Sequence, residues 1–272
     1  MIFFLFITFQ IFYFASCSIS CYKTPFDTDW FNYTVTADHI PAKLSNTSVE
    51  TNSVVCYISV AWLRDPDRTQ IVLFALTDMN VESTRPQLDV AVGYQMKITP
   101  SVAWTKQIIY QCDTDRCNNL SQLKPLLSAL VVNDSLHELE YLLKPIQPFH
   151  GEWCYQGKNT TVDNCNTTIP VSLCKQCDLF ATMSPIRPEY CATCLTDDPS
   201  DVVLFYQNIF NMTDRTNASD WEIRCGRDGC NTLAIGDSIR KRAYVNFNFT
   251  QFLNNETAIS SLNTMPSPSF FC

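Results

Sequence analysis

Apolar, β-branched and aromatic residues come in short runs through the first half of the chain: VVCYISVAW at 54–62, QIVLFAL at 70–76, VAVGY at 90–94, VAWT at 102–105 and QIIYQ at 107–111. Polar and proline-bearing stretches such as Arg64-Asp65-Pro66-Asp67 separate them. Short β-prone runs divided by turn residues predict an antiparallel meander. In the second half the clearest strands are Val202 to Phe210 and Trp221 to Arg224, with cysteine-rich loops ahead of them. Between the halves, Ser135-Leu-His-Glu138 has the form of a capping box, Leu139, Leu142 and Leu143 follow at helical spacing, and Pro145 supplies a stop. One short amphipathic helix is predicted there, read as a packed connector rather than an interaction helix. Pro125 to Val132 is apolar enough for a further helical turn or a strand. From Ala234 onward the chain is rich in Asn, Ser and Thr, and loose order is expected.

Two decapeptides, QCDTDRCNNL at 111–120 and RCGRDGCNTL at 224–233, repeat a Cys-x4-Cys-Asn pattern at a separation of 113 residues, each after a β-prone segment. An internal repeat of this kind marks duplicated modules. It divides the chain into residues 1–18, a first module at 19–121, a linker at 122–150, a second module at 151–233 and a tail at 234–272.

Residues 1–15, MIFFLFITFQIFYFA, are apolar apart from Thr8 and Gln10, and Ser16, Cys17 and Ser18 suit signal-peptidase cleavage. A signal peptide over 1–18 is the expectation. The positive n-region is missing, which leaves an uncleaved anchor as the rival, but the run is short for a span of about 20 residues. No other segment reads as membrane-spanning, and PSPSFFC lacks the hydrophobic tail of a lipid-anchor signal. Ten Asn-x-Ser/Thr sequons, at Asn32, Asn46, Asn119, Asn133, Asn159, Asn166, Asn211, Asn217, Asn248 and Asn255, agree with passage through a secretory route. They also require the loops that bear them to face water. The net charge of −8 argues against nucleic acid and acidic membrane surfaces, which need clustered Lys and Arg. Arg240-Lys241-Arg242 is the sole basic cluster, a solvated tail segment or a dibasic cleavage site.

The chain carries 14 cysteines. In an oxidising compartment such a set is a disulfide framework. With Cys17 removed they fall into four (Cys21, Cys56, Cys112, Cys117), eight (Cys154, Cys165, Cys174, Cys177, Cys191, Cys194, Cys225, Cys230) and one stray, Cys272. Cys112 with Cys117 and Cys225 with Cys230 enclose four residues each, so local bridges are easy; Cys21 with Cys56 follows by elimination. The six remaining cysteines of the second group permit 15 pairings and are left open. Cys272 is left for an intermolecular bridge, and so a disulfide-linked dimer, or a capped thiol. Cys174-x2-Cys177 and Cys191-x2-Cys194 also have a spacing near that of a four-thiolate zinc site or a redox pair. Behind a signal peptide the disulfide reading is preferred.

The closing Cys-x4-Cys-Asn, after a β-strand and at the end of a cysteine-stapled module, resembles the end of a Ly-6/uPAR domain, the three-finger fold shared with snake toxins. The resemblance implies that Asn118 and Asn231 anchor the chain end to a cysteine-rich palm and that finger loops contact a protein partner. The family usually has a cysteine directly before the final motif, where Gln111 and Arg224 stand here, and opens with Cys-x2-Cys, which Cys21 and Cys154 lack. The first module thus reads as a degenerate copy held by sheet packing more than by bridges. The expected fold class is mainly β: two tandem disulfide-stapled antiparallel three-finger-like modules joined by a short helical linker.

Nothing in the sequence has the form of a catalytic motif. His39, His137 and His150 stand alone, and six glycines leave little for a phosphate cradle. Asp115 and Asp228 recur between the modules and are expected to fix the turn inside each six-residue ring. Asp27 with Asp29, Asp65 with Asp67 and Asp197-Asp198 lack the further oxygen ligands of a calcium loop. No cofactor, metal or nucleic acid is expected. The reading is a secreted or cell-surface, non-catalytic binding glycoprotein with an extracellular protein partner. Leu204-Phe205-Tyr206 and Ile209-Phe210 are its candidate contacts, with core strand residues as their plainer reading. The alternatives are a metalloprotein or redox enzyme built on Cys174, Cys177, Cys191 and Cys194, or a structural adhesion or coat glycoprotein.

Overall fold

The alternating runs become strands of one large antiparallel sheet. In the computed structural model, residues 18–64, 67–77, 85–97, 102–142, 149–159, 165–183, 188–196 and 201–254 are described. The first module holds β1 (Ile19–Lys23), β2 (Trp30–Phe31), β3 (Ser48–Ser53), β4 (Val55–Arg64), β5 (Arg68–Leu76), β6 (Gln87–Lys97) and β7 (Val102–Cys112). The linker region supplies α1 (Leu123–Ala129), β8 (Leu130–Asp134) and a 3-10 helix, Ser135–Leu142. The second module has β9 (Gly157–Lys158), β10 (Gln176–Met183), β11 (Pro188–Leu195), β12 (Asp201–Asn211) and β13 (Thr216–Cys225). After it come α2 (Leu233–Arg242) and β14 (Ala243–Phe247).

The order of the ten-stranded sheet is β2-β5-β4-β7-β6-β12-β13-β10-β11-β9, with β1-β3 and β8-β14 as separate pairs. The two modules meet along β6 and β12, which pair antiparallel from Asp201↔Lys97 to Asn211↔Gln87. Each strand would be the edge of its own module's sheet. Pairing them satisfies two rows of backbone donors and acceptors that would otherwise lie open. Outward from the seam the order mirrors itself, β7 and β4 on one side answering β13 and β10 on the other.

Alternation along the strands sends one set of side chains to a continuous core. Ile58, Val60, Ile71, Leu88, Val90 and Ile108 are buried in the first module, and Leu179, Leu204, Tyr206, Trp221 and Ile223 in the second. The linker and the segment after α2 cover this face. Phe252 meets Tyr110 at 5.9 Å, Phe247 meets Phe210 at 5.6 Å, and the Asn208 amide donates to the Val245 carbonyl at 3.4 Å. Gly236 lets α2 lie against Trp221, since a Cβ there would stand 1.9 Å from the indole ring.

β4 to β7 fall where the pattern predicts strands, with the last two runs fused into β7, whereas β1, β2 and β3 were not predicted. β10 and β11 lie in the cysteine-rich stretch and were not predicted. The Pro125–Val132 run forms both a helix and a strand. The linker helix is a 3-10 helix, and both members of its capping box are engaged elsewhere. The Ser135 hydroxyl donates to Asn133 Oδ1 at 2.9 Å, and Glu138 pairs with Arg242 at 3.0 Å. The expectation of a loose tail fails over 234–254: β14 pairs with β8 and residues 249–254 are helical, because Val245, Phe247 and Phe252 find a core to enter. The Arg240-Lys241-Arg242 cluster forms the last turn of α2, not an extended cleavage loop.

Candidate functional site

Each module closes at its disulfide end around one asparagine. Cys112–Cys117 and Cys225–Cys230 form the two small rings, and Cys21–Cys56 bridges β1 to β4. The cysteines whose pairing was left open join as Cys154–Cys177, Cys165–Cys191 and Cys174–Cys194. Cys21–Cys56 and Cys154–Cys177 hold corresponding places, each tying the start of its module to the strand that pairs with the last one.

Asn118 and Asn231, each directly after a ring, are fully buried. Asn118 Oδ1 accepts the Tyr22 N–H at 2.8 Å, and its amide donates to the carbonyls of Tyr22 (2.7 Å), Tyr57 (3.1 Å) and Phe74 (3.4 Å). Asn231 Oδ1 accepts the Tyr155 N–H at 2.8 Å, and its amide donates to Tyr155 (2.8 Å), Asp178 (3.0 Å) and Thr193 (3.1 Å). Tyr22 and Tyr155 follow the first bridged cysteine of each module, and Tyr57 and Asp178 follow its partner. An amide buried with both ends engaged cross-links three backbone segments at no cost in unsatisfied polar groups.

The repeated aspartates act at longer range than the turn-fixing role expected of them. Asp115 Oδ1 accepts the Ser20 N–H at 2.8 Å, and Asp228 Oδ1 accepts the Gly151 N–H at 3.2 Å. Each ring therefore grips the start of its own module. Arg116 and Gly229 occupy the same ring position with φ of 54° and 71°.

The remaining candidates separate. Leu204, Tyr206 and Phe210 are buried in β12, and Phe205 and Ile209 are half-buried beside them, so the proposed contact run forms the seam. Cys174 and Cys194 bond to each other while Cys177 and Cys191 bond to cysteines outside the four, which removes the thiolate set of the zinc or redox alternative. Among the described residues no His/Cys/Asp/Glu group is arranged to hold a metal ion, and no helix is long and apolar enough to cross a membrane. Asp29 is buried with Oδ1 accepting the Ser45 N–H at 2.7 Å, a loop anchor. His39 stacks on Tyr33 at 4.2 Å, and the His150 N–H points at Asp228. Of the sequon asparagines, Asn32, Asn46, Asn166, Asn217 and Asn248 are exposed and Asn119, Asn133, Asn159 and Asn211 half-buried. Asn255, Cys272, Asp65 and Asp197-Asp198 lie outside the described residues, as does the signal segment up to Cys17.

Two features escaped the sequence reading. The first is an exposed apolar group ahead of β10: Trp153 is 65% exposed, Leu173 53% and Val171 44%. Gly151, at φ 68°, joins the two segments, since a Cβ there would meet Cys174 and the Val171 carbonyl. The second is a carboxylate group on the sheet face away from the core. Asp89 Oδ2 accepts from the Gln207 amide at 2.6 Å, but its Oδ1 and Asp220 Oδ1 are buried without a partner. Burial, helped by Asp220 and opposed by Gln207, lifts the Asp89 carboxyl to about 6. Asp178 is also raised to about 6, by burial and Glu222 against the pull of Arg224. Comparison with protein-family models, with curated proteins and with solved structures returned no match.

Proposed function

We propose that this chain is a non-catalytic, N-glycosylated extracellular binding protein whose two modules have the Ly-6/uPAR three-finger arrangement. The observation that carries this reading is the doubled palm, in which each closing asparagine spans three backbone segments beside a disulfide ring. Three hairpins or loops leave each palm: β1/β3, β4/β5 and β6/β7 in the first module; the β9-bearing loop, β10/β11 and β12/β13 in the second. Six bridges among the described residues are compatible with an oxidising, secreted setting.

The partner is an extracellular protein. Its contact surface belongs on the first loop of the second module, because the third-finger aromatics are consumed by the seam. Large apolar side chains held in water on a bridged loop are the anchors from which protein interfaces are built. The test is binding of the secreted chain to a panel of displayed cell-surface ectodomains. A partner whose affinity falls at least about tenfold in Trp153→Ala/Leu173→Ala, with melting unchanged, supports the reading. A partner lost instead on mutating only the β4/β5 tip would overturn the placement, and turnover of a substrate would overturn the class.

A further inference from the structure

Beside the first palm, β1, the 42–47 loop and the start of the linker enclose an open cleft of about 380 Å³. That is near the lower end of pockets that hold small ligands, roughly 300–1,000 Å³. Tyr22, Leu44, Leu73 and Leu120 give it apolar walls; Lys43, Thr47 and Asn119 give it polar ones. Asn119 heads the sequon Asn119-Leu120-Ser121, so a modifiable amide forms part of the wall. Its Oδ1 accepts the Ser121 N–H at 2.9 Å and also bonds the Ser121 hydroxyl, while Nδ2 donates to the Arg116 carbonyl at 3.2 Å. The amide is thus held in one orientation, and one of its two N–H groups is left for another bond. Asn46, on the loop forming the opposite wall, is exposed at φ 50° and heads a second sequon.

We propose that the cleft is the seat of the Asn119 glycan: its first N-acetylglucosamine packs between Tyr22 and the 42–47 loop and staples that loop to the palm. This rests on the extracellular reading above. The oligosaccharide comes from a lipid-diphosphate donor. The Asn119 Nδ2 to anomeric-carbon bond forms, the anomeric carbon–oxygen bond to the diphosphate breaks, and the amide loses one proton. The other N–H keeps the bond to Arg116. A sugar suits these walls because its ring and acetyl methyl present apolar faces to Tyr22 and the leucines, while its hydroxyls reach Lys43 and Thr47. Growth from the wall itself makes the sugar an intramolecular occupant, at high effective concentration against any free competitor.

The test uses the full chain secreted from glycosylating cells, with occupancy read by mass spectrometry. Melting and hydrogen exchange over 42–47 are compared for the intact form, a form trimmed to one N-acetylglucosamine per site, Ser121→Thr, Ser121→Ala and Asn46→Asp, the last removing the second sequon while keeping a residue that tolerates the left-handed backbone there. The intact, trimmed, Ser121→Thr and Asn46→Asp forms should agree. Ser121→Ala should melt about 3 °C lower, with faster exchange in the loop. The same Ser121→Ala change in refolded, sugar-free protein should shift melting by less. An equal shift there would assign the effect to the hydroxyl and overturn the proposal. So would an unmodified Asn119 in a chain modified at other sequons, which leaves the extracellular reading standing. A chain modified nowhere would overturn both.

Discussion

The two halves of the sheet share an asparagine-centred closure and a strand order but are stabilised by different means. The first packs β-branched and aromatic side chains on four strands of 9 to 11 residues and carries two bridges. The second has two strands of only 8 residues, lines its core with Ala181, Ala192 and cysteines, and carries four bridges. Where aliphatic burial is thin, covalent links limit the unfolded chain instead. One frame can therefore be held by sulfur or by hydrocarbon, provided the closing asparagine is kept.

Reduction should break the comparison most sharply. Loop-closure entropy, treating each bridge as independent, assigns about 12 kcal/mol to the second module's bridges and about 6 to the first's. Under graded reductant, amide protection in β10–β13 should be lost before that in β4–β7. The opposite order would show that the seam, not the bridges, governs the second module.

Asn118→Ala and Asn231→Ala should each cost about 3 kcal/mol by denaturant unfolding, since each strands buried backbone groups in three segments. Near-equal losses would establish the two asparagine closures as equivalent. A cost under about 1 kcal/mol at Asn118 would make the first module a sheet that merely resembles the second.

The rings sharpen the comparison further. Arg116 adopts a left-handed backbone that Gly229 tolerates freely, so Arg116→Gly should stabilise by about 1 kcal/mol. Gly229→Ala should destabilise by about as much, its Cβ having open space and only the φ to contend with. Paired melting curves would show shifts of opposite sign.

The smallest effect concerns pH. Folded carboxyls raised to about 6 at Asp89 and Asp178 take up protons more readily than in the unfolded chain. Their contribution favours the fold below about pH 4 and is lost as pH rises through about 6. Asp89→Asn should flatten that slope and add about 1 kcal/mol at pH 7.5, a figure reduced for the residue's partial exposure to solvent. Asp178→Asn should shift in the same direction by a similar amount, since its value of about 6 already includes the opposing pull of Arg224 at 3.3 Å.

Local signals made much of the fold legible. Alternation located β4 to β7 within a few residues, and the ring spacing paired Cys112 with Cys117 and Cys225 with Cys230. β10 and β11 were hidden because Cys177, Cys191 and Cys194 lie among their residues without belonging to the usual strand-forming alphabet. The exposed Trp153 and Leu173 carried no signal, since exposure is not written in a side chain's own hydrophobicity.

The sequence by itself determined that this chain is mainly β and that a Cys-x4-Cys-Asn pattern occurs twice, each time closing a short ring, because those features depend on residues within about ten positions of one another. Tertiary structure alone decided that β6 and β12 fuse two sheets into one, that the chain after Ala234 packs as core, and which of 15 pairings the middle cysteines adopt. Each of these outcomes depends on which distant surfaces meet. Edge strands, apolar stripes and thiols state only that they need a partner, and the three-dimensional closure selects it.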